Sequence, residues 1–192
     1  MNIFPTTARA TGLFLLVALC ATTAQAEQKL LPAQSEITFV SKQMGVPVEG
    51  RFKKFDAQIA FDPSKPLNGK IAFTIDIASV TLGSPEPDAE LPKAPWFNTA
   101  KFPQATFQSS SIKGLGGGKF EVSGKLAIKG NTQDAVIPVT LVQAGPSTTA
   151  SGVFTIKRLS YKIGENEWAD TAMVADDVQV KFKLALTGVA KF

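Results

Sequence analysis

The chain has no histidine, and its one cysteine, Cys20, falls in a segment expected to be removed. Without imidazole there is no Ser-His dyad, no imidazole base and no nitrogen ligand for zinc. Without a cysteine in the mature chain there is no thiolate nucleophile, no sulfur-held metal and no disulfide staple. Tyrosine occurs once, at Tyr161, and the arginines are Arg9, Arg51 and Arg158. The remaining basic residues are lysines scattered along the chain, so the dense arginine-bearing stripe typical of nucleic-acid binding is missing. No catalytic residue, metal-ligand set or cofactor is therefore expected, and no nucleic-acid partner. Nor does any segment resemble a βαβ crossover.

The N-terminus reads as a targeting segment. Arg9 supplies a positive n-region, Gly12 to Cys20 is an apolar run, and Ala24-Gln25-Ala26 is a small-x-small cleavage signature before Glu27. That run is shorter than the roughly 20 apolar residues a spanning helix needs. Leu19, rather than a small residue, precedes Cys20, which argues against lipid attachment there. Residues 1–26 are thus expected to be a cleaved signal peptide and 27–192 one domain, periplasmic or secreted. A domain of that length buries a core of its own.

What is abundant is alternation. Phe55, Ala57, Ile59 and Phe61 form one period-two row, and Ile71, Phe73, Ile75 and Ile77 another. Phe120, Val122, Leu126 and Ile128 continue it across Gly124, and Val178, Val180, Phe182, Leu184 and Leu186 close the chain. Successive strand side chains point to opposite faces, so each row is the apolar face of a half-buried strand. The pattern predicts about eight strands, near 36–41, 48–61, 70–76, 104–112, 119–129, 134–142, 151–160 and 178–190. Lys53-Lys54 shifts the phase inside the second, as a β-bulge would. The proline-rich section 79–102 predicts a loop with a short helical segment near 86–97. Short strands with turn signals predict an all-β, antiparallel, eight-stranded barrel, a size that encloses packed side chains or one small ligand.

Few polar residues invite a chemical role. Glu165, Glu167, Asp170, Asp176 and Asp177 crowd the loop before the last strand, leaving a carboxylate enzyme or calcium-dependent module as the minor alternative. The Asp-x-Asp-x-Asp-Gly calcium spacing is absent. Gly114–Gly118 lies between strands and reads as a turn, not a phosphate loop. Arg51 and Arg158 sit within apolar strands. They are candidates either for head-group contact at a pocket mouth or for structural ion pairs. Twelve of the fourteen phenylalanines follow residue 26, and rows so rich in rings suit a wide apolar lining as well as a core.

Ordered segments along the mature chain carry a resemblance. They are Ser35–Phe39 with Gly45, Val48–Phe52 with Phe55, Phe61-Asp62-Pro63, Ile75–Val80, and Asp88 with Leu91. Trp96-Phe97-Asn98, Lys101-Phe102-Pro103, Ala105–Phe107, Gly124–Gly130, Ile137-Pro138-Val139 and Arg158–Gly164 follow. In these the chain resembles the YceI family of secreted, lipocalin-like, polyisoprenoid-binding proteins. Gln43 and Glu90 stand where that family often carries histidines. The resemblance implies an elongated barrel around a hydrophobic tunnel, holding an isoprenoid-type lipid such as a quinone or polyprenyl lipid. It also implies a non-enzymatic carrier, with a scavenger of apolar small molecules as the alternative. Phe39, Phe52, Phe55, Phe73, Phe107, Phe120 and Phe182 are then expected near the tunnel, Trp96 and Phe97 at one end of it, and Arg51 and Arg158 near the head group. Transient membrane contact and a homodimer are left open.

Overall fold

A computed structural model describes residues 27–192; the expected signal peptide, with Cys20, lies outside the described residues. Eleven strands run in chain order: β1 (Lys29–Leu30), β2 (Glu36–Gln43), β3 (Val46–Phe52), β4 (Phe55–Ala60), β5 (Lys70–Asp76), β6 (Val80–Thr81), β7 (Gln104–Gly116), β8 (Lys119–Ile128), β9 (Asn131–Ala144), β10 (Ser147–Lys157) and β11 (Asp177–Thr187). They form one antiparallel sheet in the order β4-β5-β7-β8-β9-β10-β11-β2-β3-β6, with β1 added against β11. The expected all-β antiparallel class is what the structure shows. The count differs for two reasons: β1 and β6 are two-residue pairings without any alternation to read, and the expected strand 48–61 is split.

That split is not a bulge. β3 pairs with β2, opposing Phe52 to Ile37, whereas β4 pairs with β5, opposing Phe55 to Ile75. One continuous stretch of chain therefore supplies the end strand β4 and, at the other end, β3, which only the two-residue β6 follows, and Lys53-Lys54 is where it changes partner. The Ser79 hydroxyl accepts from both freed amides, Lys53 N at 3.1 Å and Lys54 N at 3.0 Å, and donates to Asp76 O at 2.6 Å. A true register shift lies elsewhere, in β7 between Ser109 and Ser111.

The other side of β4 is closed by a side chain. Gln28 copies a ladder residue: its amide nitrogen donates to Phe61 O at 2.5 Å, and its amide oxygen accepts from Phe61 N at 2.8 Å. Both groups of an edge residue are thereby satisfied without a further strand.

Antiparallel order sorts the connections into two ends. The 61–69, 114–118 and 145–146 turns lie at one end, together with the end of β11. The β2–β3 and β8–β9 turns, and the long connections 77–103 and 158–176, lie at the other. The expected helical segment appears as α1 (Pro85–Glu90) alone, and 91–97 continues as turns. Prolines at 92 and 95 deprive it of further helix donors. The Asp88 carboxylate fixes α1 to β6, accepting from the Thr81 hydroxyl and from Leu82 N.

Replacing Gln28 with Ala should lower stability by about 1–2 kcal/mol, since two bonds to an edge backbone are lost where water partly substitutes. Urea unfolding measures the change. Amide exchange of Phe61 should accelerate while β8 amides remain protected.

Candidate functional site

The inward rows line an apolar cavity of 160 Å³. Ile59, Phe61, Ile71 and Phe73 come from one side, Phe107, Ile112, Phe120 and Val122 from the next, and Phe154, Val180, Phe182, Leu184 and Leu186 from the side opposite. Every lining residue is Ile, Leu, Val, Phe or Ala. Water in such a space lacks the two to four polar partners it needs, so a cavity of this size and lining stays dry and suits an apolar guest.

Glycines on the walls help set its width. Phe182 opposes Gly152 across β10–β11, and a Cβ at that glycine would collide with the ring. Phe107 lies over Gly124 in the same way. Each ring thus lies against the wall where the neighbouring strand has no side chain, a packing of aromatic over glycine known to support sheets. The alternation showed these rings pointing inward but not how they lie.

The expected aromatic site residues fall into four groups. Phe73, Phe107, Phe120 and Phe182 line the cavity. Phe39, Phe52 and Phe97 instead fill the end bearing the long connections: Phe39 and Phe52 are 5.5 Å apart between ring centres, and Phe52 meets Phe97 edge-on at 6.3 Å. Phe55 stacks on Phe73 at 6.0 Å, linking the β3–β4 junction to the cavity wall. Trp96 lies outside the cavity, half-buried against Trp168 at 5.4 Å. Phe61 and Phe154 also line the cavity and were not among the expected residues. Phe61 continues the row of Phe55, and Phe154 alternates with Gly152 and Ile156, so the signal for both was in the same periodicity.

Arg51 and Arg158 behave differently. Arg51 is on the outward side of β3, exposed, in a shallow polar groove with Glu36, Lys53 and Lys183 beside the Phe52 and Phe55 rings. Arg158 is 2% exposed and has no donor left for a head group. Its Nε donates to Ala175 O, its Nη1 to Ile163 O and Gly164 O, and its Nη2 to Trp168 O and Val174 O, all at 2.7–3.1 Å. Backbone carbonyls, rather than the ion pair considered from sequence, satisfy the buried guanidinium. Burial draws its pKa below the ordinary arginine value, and the Asp176 charge opposes that. Gly164 must be glycine: its φ is +75°, and a Cβ would strike Arg158 and crowd Trp96.

A second buried cation, Lys129, stands at the β8–β9 turn. Its Nζ donates to Ala94 O at 2.8 Å, Pro95 O at 3.4 Å and Lys162 O at 2.6 Å, and pairs with Glu165 at 2.8 Å. Lys129 and Arg158 thus hold the two long connections over one end of the barrel. Sequence reasoning missed Lys129 because nothing distinguishes it from the solvated lysines around it.

Three of the five acidic residues of the 165–177 loop make bonds close to the loop. Asp170 accepts from Ala172 N, Asp176 from Leu159 N, and Asp177 pairs with Lys157 at 2.5 Å. Among the described residues no three His, Cys, Asp or Glu side chains are grouped to hold a metal ion.

These features define a lipocalin-like barrel, one antiparallel sheet curled about an apolar interior. The chain belongs to the YceI-like domain family, whose model matches residues 29–186. A UPF0312 protein of Vibrio cholerae is 27% identical over 157 residues, covering 77% of this chain and 83% of its own. Protein YceI of Escherichia coli O157:H7 is 38% identical over 96 residues, half of each chain. The crystal structure of Burkholderia cenocepacia BcnA superposes with a TM-score of 0.79 at 47% identity, covering 81% of this chain and 98% of that one. A polyisoprenoid binding domain from Saccharophagus degradans, implicated in plant cell wall breakdown, shares the fold at a TM-score of 0.69 and 20% identity, covering 84% and 98%.

Replacing Arg158 with Lys should cost about 2–4 kcal/mol, since several buried carbonyls lose a charged donor. Thermal unfolding reads the loss, and affinity for an apolar guest should be unchanged while the protein is folded. Glu165 gives a pH-dependent counterpart. Its hydrogen bond from Lys129 holds its pKa below the ordinary value of 4.5. An acid depressed in the folded state stabilises above its unfolded pKa and loses that contribution as pH falls through the folded value. Stability should therefore fall below pH 4.5, and Glu165→Gln should flatten that acid limb in melts recorded from neutral pH downward.

Proposed function

We propose that this protein is a non-enzymatic carrier that holds an isoprenoid-type lipid, a quinone or a polyprenyl lipid, inside the barrel outside the cytoplasm. The observation that carries the reading is the cavity: it is lined by apolar side chains alone, so it favours hydrocarbon and offers nothing to orient a reacting group. The family resemblance supports the isoprenoid class, and the name of the Saccharophagus degradans domain agrees with it. The signal-like segment 1–26 supports export to the periplasm or beyond.

Burying a five-carbon isoprene unit from water is worth about 3–4 kcal/mol. Against a bilayer the net gain is close to zero, because lipid tails are equally apolar. A carrier on this plan loads and unloads reversibly, and pocket shape decides which guest it keeps. At 160 Å³ the cavity is below the ~300 Å³ at which drug-sized pockets begin. A long polyprenyl chain therefore enters only as rings such as the half-buried Phe73, Phe154 and Phe182 turn aside. The same small volume favours a second reading, a scavenger of compact apolar molecules. Affinity rising with chain length across a quinone series supports the carrier, and affinity indifferent to chain length supports the scavenger.

Organic extraction of protein purified gently from its own host, followed by mass spectrometry, should release an isoprenoid lipid. A barrel that is consistently empty would overturn the reading. Ala150 lines the cavity and is buried. Ala150→Phe should fill the space, weakening quinone binding at least tenfold by titration calorimetry while leaving the unfolding midpoint unchanged or raised.

A further inference from the structure

The two ends of the barrel differ in charge. At the end formed by the 62–69 and 114–118 turns and the last residues of the chain stand Lys29, Lys65, Lys70, Lys113, Lys119 and Lys191, against the carboxylates of Glu27, Asp62 and Glu121. The opposite end reverses this. Its connections 77–103 and 158–176 with the 129–130 turn carry seven carboxylates and five cations, two of which, Lys129 and Arg158, are buried, and the adjoining strand ends add Asp76 and Asp177 against Lys42 and Lys157. The molecule is therefore polarised along the barrel axis.

The basic end is also tipped with apolar side chains. Leu67 is 76% exposed, Leu115 55% and Phe192 50%. They share one region of surface: a Cβ on Gly114 would touch Pro66 at 3.5 Å, and one on Gly118 would meet the Phe192 ring at 3.3 Å. Directly beneath them lie Phe61, Ile112, Phe120, Leu141 and Val189, all of which line the cavity. The opposite end is bolted by nine hydrogen bonds from Lys129 and Arg158 and filled by Phe39, Phe52 and Phe97. Passage there would break buried charged contacts; passage at the basic end displaces only side chains and turns.

We propose that the basic end docks on an anionic lipid bilayer. Leu67, Leu115 and Phe192 enter the interface, the lysines around them meet the head groups, and the apolar guest crosses between bilayer and cavity at that end. The acidic end is repelled, so the field of the whole molecule orients the approach. Exposed apolar tips ringed by lysine are what interfacial binding uses, with neither feature sufficient alone. The passage of guest rests on the carrier reading; the docking itself does not.

The purified protein is mixed with phosphatidylcholine vesicles, with and without about one-third phosphatidylglycerol, and bound protein is separated by flotation. Binding is expected only to the anionic vesicles, falling at least tenfold when salt rises from about 50 mM to 500 mM. Leu67→Ser with Leu115→Ser, and separately Lys65→Glu with Lys119→Glu, should each cut binding at least fivefold. Met44→Ser with Met173→Ser, exposed at the opposite end, should leave it unchanged. Thermal melts of each variant confirm folding. No vesicle binding, equal binding to neutral vesicles, or loss only in the Met44 and Met173 variant would overturn the proposal. So would a tip variant whose sole effect is to abolish self-association in sedimentation, which would assign the surface to a second copy. Calorimetric titration of a short-chain quinone without vesicles separates the two readings. Vesicle binding without quinone uptake leaves docking standing and removes the carrier, and quinone uptake without vesicle binding does the reverse.

Discussion

At Lys53 and Lys54 the chain stops pairing with one edge of the sheet and begins pairing with the other. An open antiparallel sheet would present two rows of unpaired amides and one exposed apolar face. Passing a single stretch of chain from β3 to β4 joins the edges covalently and turns that face inward. The cost is two amides with no ladder partner, and the Ser79 hydroxyl receives both. Gln28 does the same for Phe61 on the far side of β4. These two polar side chains satisfy backbone groups around an apolar cavity whose lining has no polar residue at all.

The enclosed volume is divided unequally. Toward the long connections it is filled: the Phe39, Phe52 and Phe97 rings interlock there with Leu91, Tyr161 and Ile163, and all but Phe52 are buried. Toward the short turns it is hollow. A side chain at Gly124 or Gly152 would strike both the backbone carbonyl of a neighbouring residue, Gln108 or Pro138, and the ring of Phe107 or Phe182. Stability and capacity are thus assigned to different ends. Lys129 and Arg158 belong to the first task, because each exchanges solvation for carbonyl contacts that pin loops without secondary structure of their own. A buried cation satisfied by backbone rather than by a carboxylate keeps those contacts regardless of side-chain titration, apart from the single Glu165 pair.

Much of this architecture can be read from residue order. Period-two rows located eight stretches of strand and their inward faces, because a half-buried sheet tolerates no other spacing. Those rows already contained Phe61, which lines the cavity, whereas Phe154 lay in the predicted strand 151–160 without being singled out. Three things were not legible, each for a physical reason. A phase slip at Lys53-Lys54 looks the same whether the strand bulges or changes partner, since local pattern carries no information about which strand lies alongside. Arg51 and Arg158 have similar apolar neighbours, yet one faces solvent and the other the interior of a loop, because Arg158 follows the last residue of β10 and begins a 3-10 turn. Lys129 sits in a left-handed turn conformation, φ 48°, and only the return of residues 94–95 and 162–165 from distant sequence gives its ammonium partners. Alternation reports faces; it does not report where non-local carbonyls converge.

On the proposed carrier reading, a guest equally soluble in bilayer and barrel gains little free energy by moving between them, so direction and selectivity must come from elsewhere. Shape is one source: displaced rings cost packing contacts, and only a guest that replaces those contacts is retained. Geometry of access is the other. With one end held by buried cations and the other bounded by turns, the barrel has a single end at which its interior can meet a reservoir without loss of charged hydrogen bonds. The side chains on that end, exposed leucines and phenylalanine among lysines, are poorly matched to water alone and well matched to an interface. The asymmetry that fills one half of the barrel therefore also selects the half through which it can be used.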